Sequence, residues 1–301
     1  MMGFSALWRR NQRLFFKDKG MFFSSMITPI ILLVLYATFL ANIYKDAFLS
    51  GFPKEMSVDA KLIDAAVGGQ LISSLLAVSC VTVAFCSNLL MINDRANGTF
   101  RDLTVTPVKR STLAFAYYAA SAASTLIITL TASVVGLGYL WVKGWYLSAV
   151  DVAGLFAAVI LLTLFGTALS SCIHFFLSTS GQASAVGTII SAGYGFICGA
   201  YMPISSFSKG LQRVISCLPG TYGTSLLRNL VMRGTLNEME KVGLPKAAVD
   251  ELAKTVDCSP EFFGHTVSVG AMFIILAGSV VLFTGLFVAL NIASKKRKQN
   301  G

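Results

Sequence analysis

Six stretches of this chain run for at least twenty residues without an Asp, Glu, Lys or Arg: Met21 to Asn42, Ala65 to Asn93, Ser111 to Val142, Val152 to Leu177, Ala183 to Met202, and Val267 to Ala293. An α-helix rising ~1.5 Å per residue needs roughly 20 apolar residues to cross a hydrocarbon core about 30 Å thick. Each run therefore predicts a spanning helix. A transmembrane β-barrel would show ~10-residue segments of alternating polarity, and these runs do not alternate. The pattern predicts an all-α polytopic membrane protein, with six transmembrane helices in a single domain over residues 1–301.

The segments between the runs have their own periodicity. Over residues 4–20, Phe4, Leu7, Trp8 and Phe15 are set against Arg9, Arg13 and Lys17. This predicts an amphipathic helix in the inner interface, apolar face toward lipid and basic face toward anionic head groups. The first run is too long for the ~7–15 residue core of a cleaved signal peptide, and twenty residues precede it, so a signal-anchor span is expected. Pro29 within it predicts a kink. The third run is long enough to tilt or project, and Lys143, Trp145 and Tyr146 follow it as an interfacial belt. Runs four and five are joined by Ser178 to Gln182, a tight inner hairpin. Gly187, Gly193, Gly195 and Gly199 punctuate run five, and the Gly195/Gly199 pair would let another helix approach closely, within the subunit or across a dimer seam.

The outer segment 203–266 begins with Leu211, Val214, Ile215 and Leu218 at helical spacing; Pro219 and Gly220 break the pattern, and Leu226, Leu227, Leu230 and Val231 resume it. Two helices of about ten residues are too short to span, which predicts a re-entrant or interfacial hairpin on the outer leaflet before the last span. Pro245 to Val256 predicts a small polar helix, and Ser259-Pro260-Glu261 a helix start leading to the last run. This cap is too small to be an independent enzyme domain.

Composition agrees with the pattern: 55% of the 301 residues are apolar and 13% charged. Charge adds orientation. With the N-terminus inside, the inner segments hold 13 basic residues (Arg9, Arg10, Arg13, Lys17, Lys19, Arg95, Arg101, Lys109, Arg110, Lys295, Lys296, Arg297, Lys298) against Asp18, Asp94 and Asp102. The outer segments hold 11 of each sign, so the whole net charge of +10 lies on one side. Basic loops stay cytoplasmic, and both termini are expected inside. The same distribution, spread over three short segments with no RNA-binding motif beside it, argues against a nucleic-acid partner. Cys80, Cys86, Cys172 and Cys198 lie inside runs and no CxxC occurs, so no metal site is expected. Cys217 and Cys258 both fall outside, where an oxidising compartment would let them pair.

The inner connection 94–110 is the most specific piece of the chain. Gly98 can take a conformation closed to other residues, and Thr99 to Val105 forms a short helix with Phe100 and Leu103 on one side and Arg101 and Asp102 elsewhere. Pro107 pushes Thr106 out of the α region and ends it. A short amphipathic helix held between two membrane helices can seat in a partner's groove and transmit motion. Asp94-Arg95, Gly98-Thr99, Leu103 and Thr106-Pro107-Val108 resemble the pattern of ABC type 2 export permeases, departing from many members at Asn97, where they carry Glu. The resemblance extends to Tyr201-Met202-Pro203-Ile204-Ser205 and to Leu218-Pro219-Gly220-Thr221-Tyr222 in the outer hairpin.

The resemblance implies a permease subunit in a bacterial cell membrane, with a coupling helix at 94–110. Its partners would be a second permease, identical or homologous, and two cytoplasmic ATPases that carry the Mg-ATP. This chain has no GxxxxGK[ST] loop and so cannot hydrolyse ATP alone. ATP-driven closure of the ATPases would push the coupling helices and open the path outward.

A membrane-embedded enzyme is disfavoured because His174, the ionisable group within a run, has no second ligand or triad partner at suitable spacing. An ion-coupled secondary transporter would show internal repeats and mid-membrane acids, and neither is present. The path residues expected from the polar faces of runs two and five are Ser74, Thr82, Asn88, Ser191 and Tyr194. With no charge to select an ionic ligand, an apolar or amphipathic cargo is expected.

Overall fold

A computed structural model of the chain describes residues 2–42, 44–45 and 59–299. Most of the outer connection expected from Ile43 to Asp64 lies outside the described residues. The helices are α1 (Met2–Lys17), α2 (Lys19–Leu35, continued by a π-helical stretch Tyr36–Leu40), α3 (Ala60–Ser87), α4 (Leu89–Ala96), α5 (Thr99–Val105) and α6 (Arg110–Lys143). They continue with α7 (Ala149–Phe175), α8 (Ser180–Ile197), α9 (Lys209–Ser216), α10 (Pro219–Lys241), α11 (Lys246–Thr255) and α12 (Val269–Gln299). The strands β1 (Glu261–Phe262) and β2 (His265–Thr266) form a small antiparallel hairpin.

The centre of the bundle is α3, and its sequence explains why. From Ala65 to Phe85 it has no charged residue and no polar face, and nearly every side chain is buried. A helix apolar all round is a core helix. Around it pack α2, α6, α7, α8 and α10, with α12 on the far side against α7 and α10. Two large apolar clusters meet on α3, one toward α8 and α11 and one toward α6, α7 and α10.

Four helical stretches are long and apolar enough to cross a membrane: α3 with α4, α6, α7 and α12; α1 and α2, which meet at 71°, make a fifth if they form one broken span. The run expected from Ala183 to Met202 forms α8, only 18 residues and about 27 Å long. Its glycines and serines lower its hydropathy, and it stops at Ile197. Gly199, at φ +73°, turns the chain away, while Tyr201 folds back over Gly195, where an added Cβ would lie 2.3 Å from the ring. The Gly195/Gly199 pair is therefore filled from within the chain and is not an open helix-packing seam.

α2 continues through Pro29 and passes into the π-helical stretch at Tyr36–Leu40. Four other expectations change. The apolar side of α1 is divided: Phe4 stacks on Phe115 at 5.5 Å, Leu7 and Phe15 are buried, and Gln12 Nε2 donates to the Ala120 carbonyl at 2.6 Å, while Trp8 stays exposed. The small residues Ala116 and Ala120 on α6 make room for it.

The outer hairpin has unequal arms. α9 has 8 residues, but α10 runs 23 residues into the bundle because Leu226, Leu227, Leu230 and Val231 find partners on α3 and α7. Residues 259–261 do not start a helix. Phe263 (φ 48°) and Gly264 (φ 87°) make the hairpin turn between β1 and β2, and α12 begins at Val269. Cys217 is exposed and Cys258 is fully buried against Met232, its Sγ 3.8 Å from the Met Sδ, so the two do not pair.

Candidate functional site

The inner connection is a compact assembly. Gly98 takes φ +80°, and its carbonyl accepts the first hydrogen bonds of α5, from the Arg101 and Asp102 amides. At the other end Thr106 is extended ahead of Pro107 and returns its hydroxyl to the Leu103 carbonyl at 2.6 Å. Two charged residues of α4 tie this segment to the rest of the chain. Asp94 is buried, accepts both Arg10 guanidinium nitrogens at 2.7 and 3.0 Å, and accepts from the Tyr117 hydroxyl. It locks α1 and α6 to α4.

Arg95 sits under the C-terminal end of α7 and donates to the carbonyls of Phe175 at 2.9 Å, Leu177 at 3.2 Å and His174 at 3.3 Å. The negative end of the α7 dipole favours a cation there. The same guanidinium lies over the rings of Phe100 at 5.2 Å and Phe175 at 5.7 Å. One side chain thus joins α4, α5 and α7.

The two sides of α5 differ as the spacing predicts. Phe100 and Leu103 point inward, with Phe100 6.2 Å from the Tyr117 ring, and pack with Val108 on a cluster that includes Leu7, Phe15 and Met91. Both side chains are half-buried in these contacts. The outward face carries Arg101, Asp102, Thr106, Pro107 and Val105, the last 83% exposed. Thr99 is half-buried at the start of the helix. Among the described residues neither Arg101 nor Asp102 has an ion pair.

Sequence reasoning missed Arg10 and Tyr117. The signal was Asp94, an acid at the foot of a long uncharged run that a buried site must pair.

The expected path residues do not share one surface. Ser74 accepts from a buried arginine, Thr82 bonds back to the Val78 carbonyl at 3.0 Å, and Asn88 Nδ2 reaches Ser170 and Ser171 on α7 at 2.9 and 3.0 Å. Tyr194 points inward, its hydroxyl set against Gly220 at the start of α10. His174, also buried, holds Ser170 Oγ at 3.1 Å. Ser191 alone of the five lines an open groove of about 850 Å³ between α2, α3 and α8. Its walls are mostly apolar, with Ser24, Thr28, Ser184 and Thr188 interspersed.

Between α9 and α10, Leu218 is extended ahead of Pro219, the first residue of α10, and the Tyr222 hydroxyl donates to the Ser216 carbonyl, closing α9 onto α10. Two turns on, Arg228 is wholly buried. It donates to the Val256 carbonyl at 2.8 Å, Asp257 at 3.3 Å, the Gly199 carbonyl at 2.9 Å and Ser74 Oγ at 3.0 Å. Asp257 also accepts the Ile204 amide at 2.9 Å. Burial raises the Asp257 carboxyl above its ordinary range, with Arg228 and that amide opposing the rise. This residue too was missed. Its signal was an arginine one to three residues from Leu227, Leu230 and Val231, in a helix whose apolar spacing had been noted.

The sequence profile of the ABC-2 type transporter matches residues 2–232, from α1 into α10, and includes Arg228. Comparison with curated proteins gives no match. The profile covers the packing of α1 on α6, the assembly around Asp94 and Arg95 and the groove beside α8. On that match, the chain belongs to the ABC-2 type transporter family as a transmembrane permease.

Proposed function

We propose that this chain is the permease of an ATP-driven exporter, coupled through α5 to a separate cytoplasmic ABC ATPase. The observation that carries the reading is the division of α5 into two faces. Its inner face is held by Arg95 and Phe100 to α4, α6 and α7, and its outer face leaves Arg101, Asp102, Val105 and Thr106 free. A push on the outer face is passed to α4, which continues α3, and to the long helices α6 and α7 without being absorbed in a loop.

In this reading α2 and α8 join the four longer helices to give six spans, and both termini lie inside a bacterial cell membrane, as the charge distribution supports. Two such chains, identical or homologous, would act with two ATPases that bind the Mg-ATP. The groove beside Ser191 supports a path for an amphipathic cargo, since its apolar walls suit an acyl or aromatic portion and its hydroxyls a polar one.

The test is extraction in mild detergent followed by reconstitution. The chain is expected to retain an ATPase carrying a GxxxxGK[ST] loop, and the pair to hydrolyse ATP faster when cargo is present. Arg101→Glu with Val105→Glu should lower retention of that ATPase by about tenfold, the cost of removing one interface anchor. Phe100→Leu should leave retention intact. Transport driven by an ion gradient with the chain alone would overturn the reading.

A further inference from the structure

Helices α2 and α6 each pack along α3 but leave a cleft of about 510 Å³ between them, floored by Ile72 and Leu75 of α3. Its walls are Met26, Ile30 and Leu33 on one side and Ile127, Val135 and Tyr139 on the other, with Thr131 as the polar side chain besides the Tyr139 hydroxyl. From Ile127 to Tyr139 is twelve residues, or about 18 Å, a little more than half of a ~30 Å hydrocarbon core. The cleft is therefore about one leaflet deep.

At the α1–α2 bend it is lined by Phe16 and Phe22. Lys17 and Lys19 bracket that bend, and Arg13 lies one turn before Lys17. All three are exposed, and none has an ion pair among the described residues. Asp18 between the lysines is engaged as the cap of α2, accepting the Met21 amide at 3.1 Å. An apolar slot one leaflet deep, with unpaired cations at one end, has the shape and charge of a single phospholipid.

We infer that this cleft binds an anionic phospholipid, one acyl chain between α2 and α6 and the head group on Lys17, Lys19 and Arg13. Hydrocarbon gains little by moving from bilayer to cleft, because lipid tails are as apolar as the side chains they meet. Retention and selectivity therefore come from the cations, which favour an anionic head group by a few-fold each. The site is separate from the groove beside Ser191, on the other side of α2, and it would pin the bend through which α1 meets the membrane. It does not depend on the transport reading.

The test is native mass spectrometry of the full chain released from micelles containing phosphatidylglycerol or phosphatidylcholine. The wild type is expected to keep one phosphatidylglycerol per chain, with a preference of roughly tenfold over phosphatidylcholine. Thr131→Trp, which fills the cleft, should remove the adduct, while Val134→Trp, an exposed position on α6 outside it, should not. Lys17→Gln with Lys19→Gln changes only exposed side chains and should abolish the preference without unfolding the protein. Retention in Thr131→Trp would mean ordinary annular lipid and overturn the proposal. So would an unchanged preference in the lysine variant, or loss of a second permease chain in place of lipid. Failure of ATPase co-extraction, by contrast, would leave this result untouched.

Discussion

Replacing Arg228 with methionine is expected to be the most damaging single change in the chain. Methionine fits the volume but leaves Asp257 buried without its cation and strips donors from the carbonyls of Gly199 and Val256 and from Ser74. Breaking a buried ion pair by removing one partner costs about 3–5 kcal/mol. For a chain of this size that is a drop of roughly ten degrees in apparent melting temperature. The loss should concentrate where Arg228 ties α3, the end of α8 and the outer cap together, so proteolysis near Asp257 should appear early. The check is a thermal series in detergent on Arg228→Met, Asp257→Asn and the double variant. Asp257→Asn removes the buried charge, so the double variant should recover part of the loss. Equal melting temperatures for wild type and Arg228→Met would sink this account of the network.

The second large effect is expected at Arg95. Arg95→Ala removes three hydrogen bonds to the end of α7 and the cation between Phe100 and Phe175. Hydrogen bonds involving a charged group contribute about 1.5–3 kcal/mol. Because α5 has only seven residues, it cannot hold its shape without that anchor. Amide exchange over Thr99–Val105 should therefore accelerate by roughly 30-fold, about 2 kcal/mol of local stability, while α3 and α7 keep their protection. Arg95→Lys should restore only part, since a single ammonium cannot bridge three carbonyls and lie flat on two rings. Unchanged exchange across α5 in Arg95→Ala would show that the segment is held by something else. In the exporter reading the same variant should lose transport while the ATPase stays bound, which separates coupling from assembly.

Much of this molecule was legible before its shape was known. The uncharged runs, the short helix at Thr99–Val105, the break at Gly98 and the stop at Pro107 all follow from preferences that act over a few residues. The helix lengths went wrong where burial overrode pattern. α10 continued well past its expected ten residues because α3 and α7 offered it an apolar surface, and α8 stopped short because Gly199 turned the chain and Tyr201 closed over Gly195.

That the chain belongs in a bilayer is encoded locally, because transfer of apolar side chains out of water adds up along each helix whatever its neighbours. The inner connection is likewise marked as the specific segment by residues whose backbone preferences are local. Which way those residues face depends on contacts distant in sequence. Asp94 meets Arg10 across 84 positions and Arg228 meets Ser74 across 154, and no local pattern encodes such partners. Phe100 turned inward because Tyr117 and Arg95 supply an aromatic and a cationic surface beneath it. A seven-residue helix has two possible faces to offer a partner, and the helices packed under it determine which one remains free.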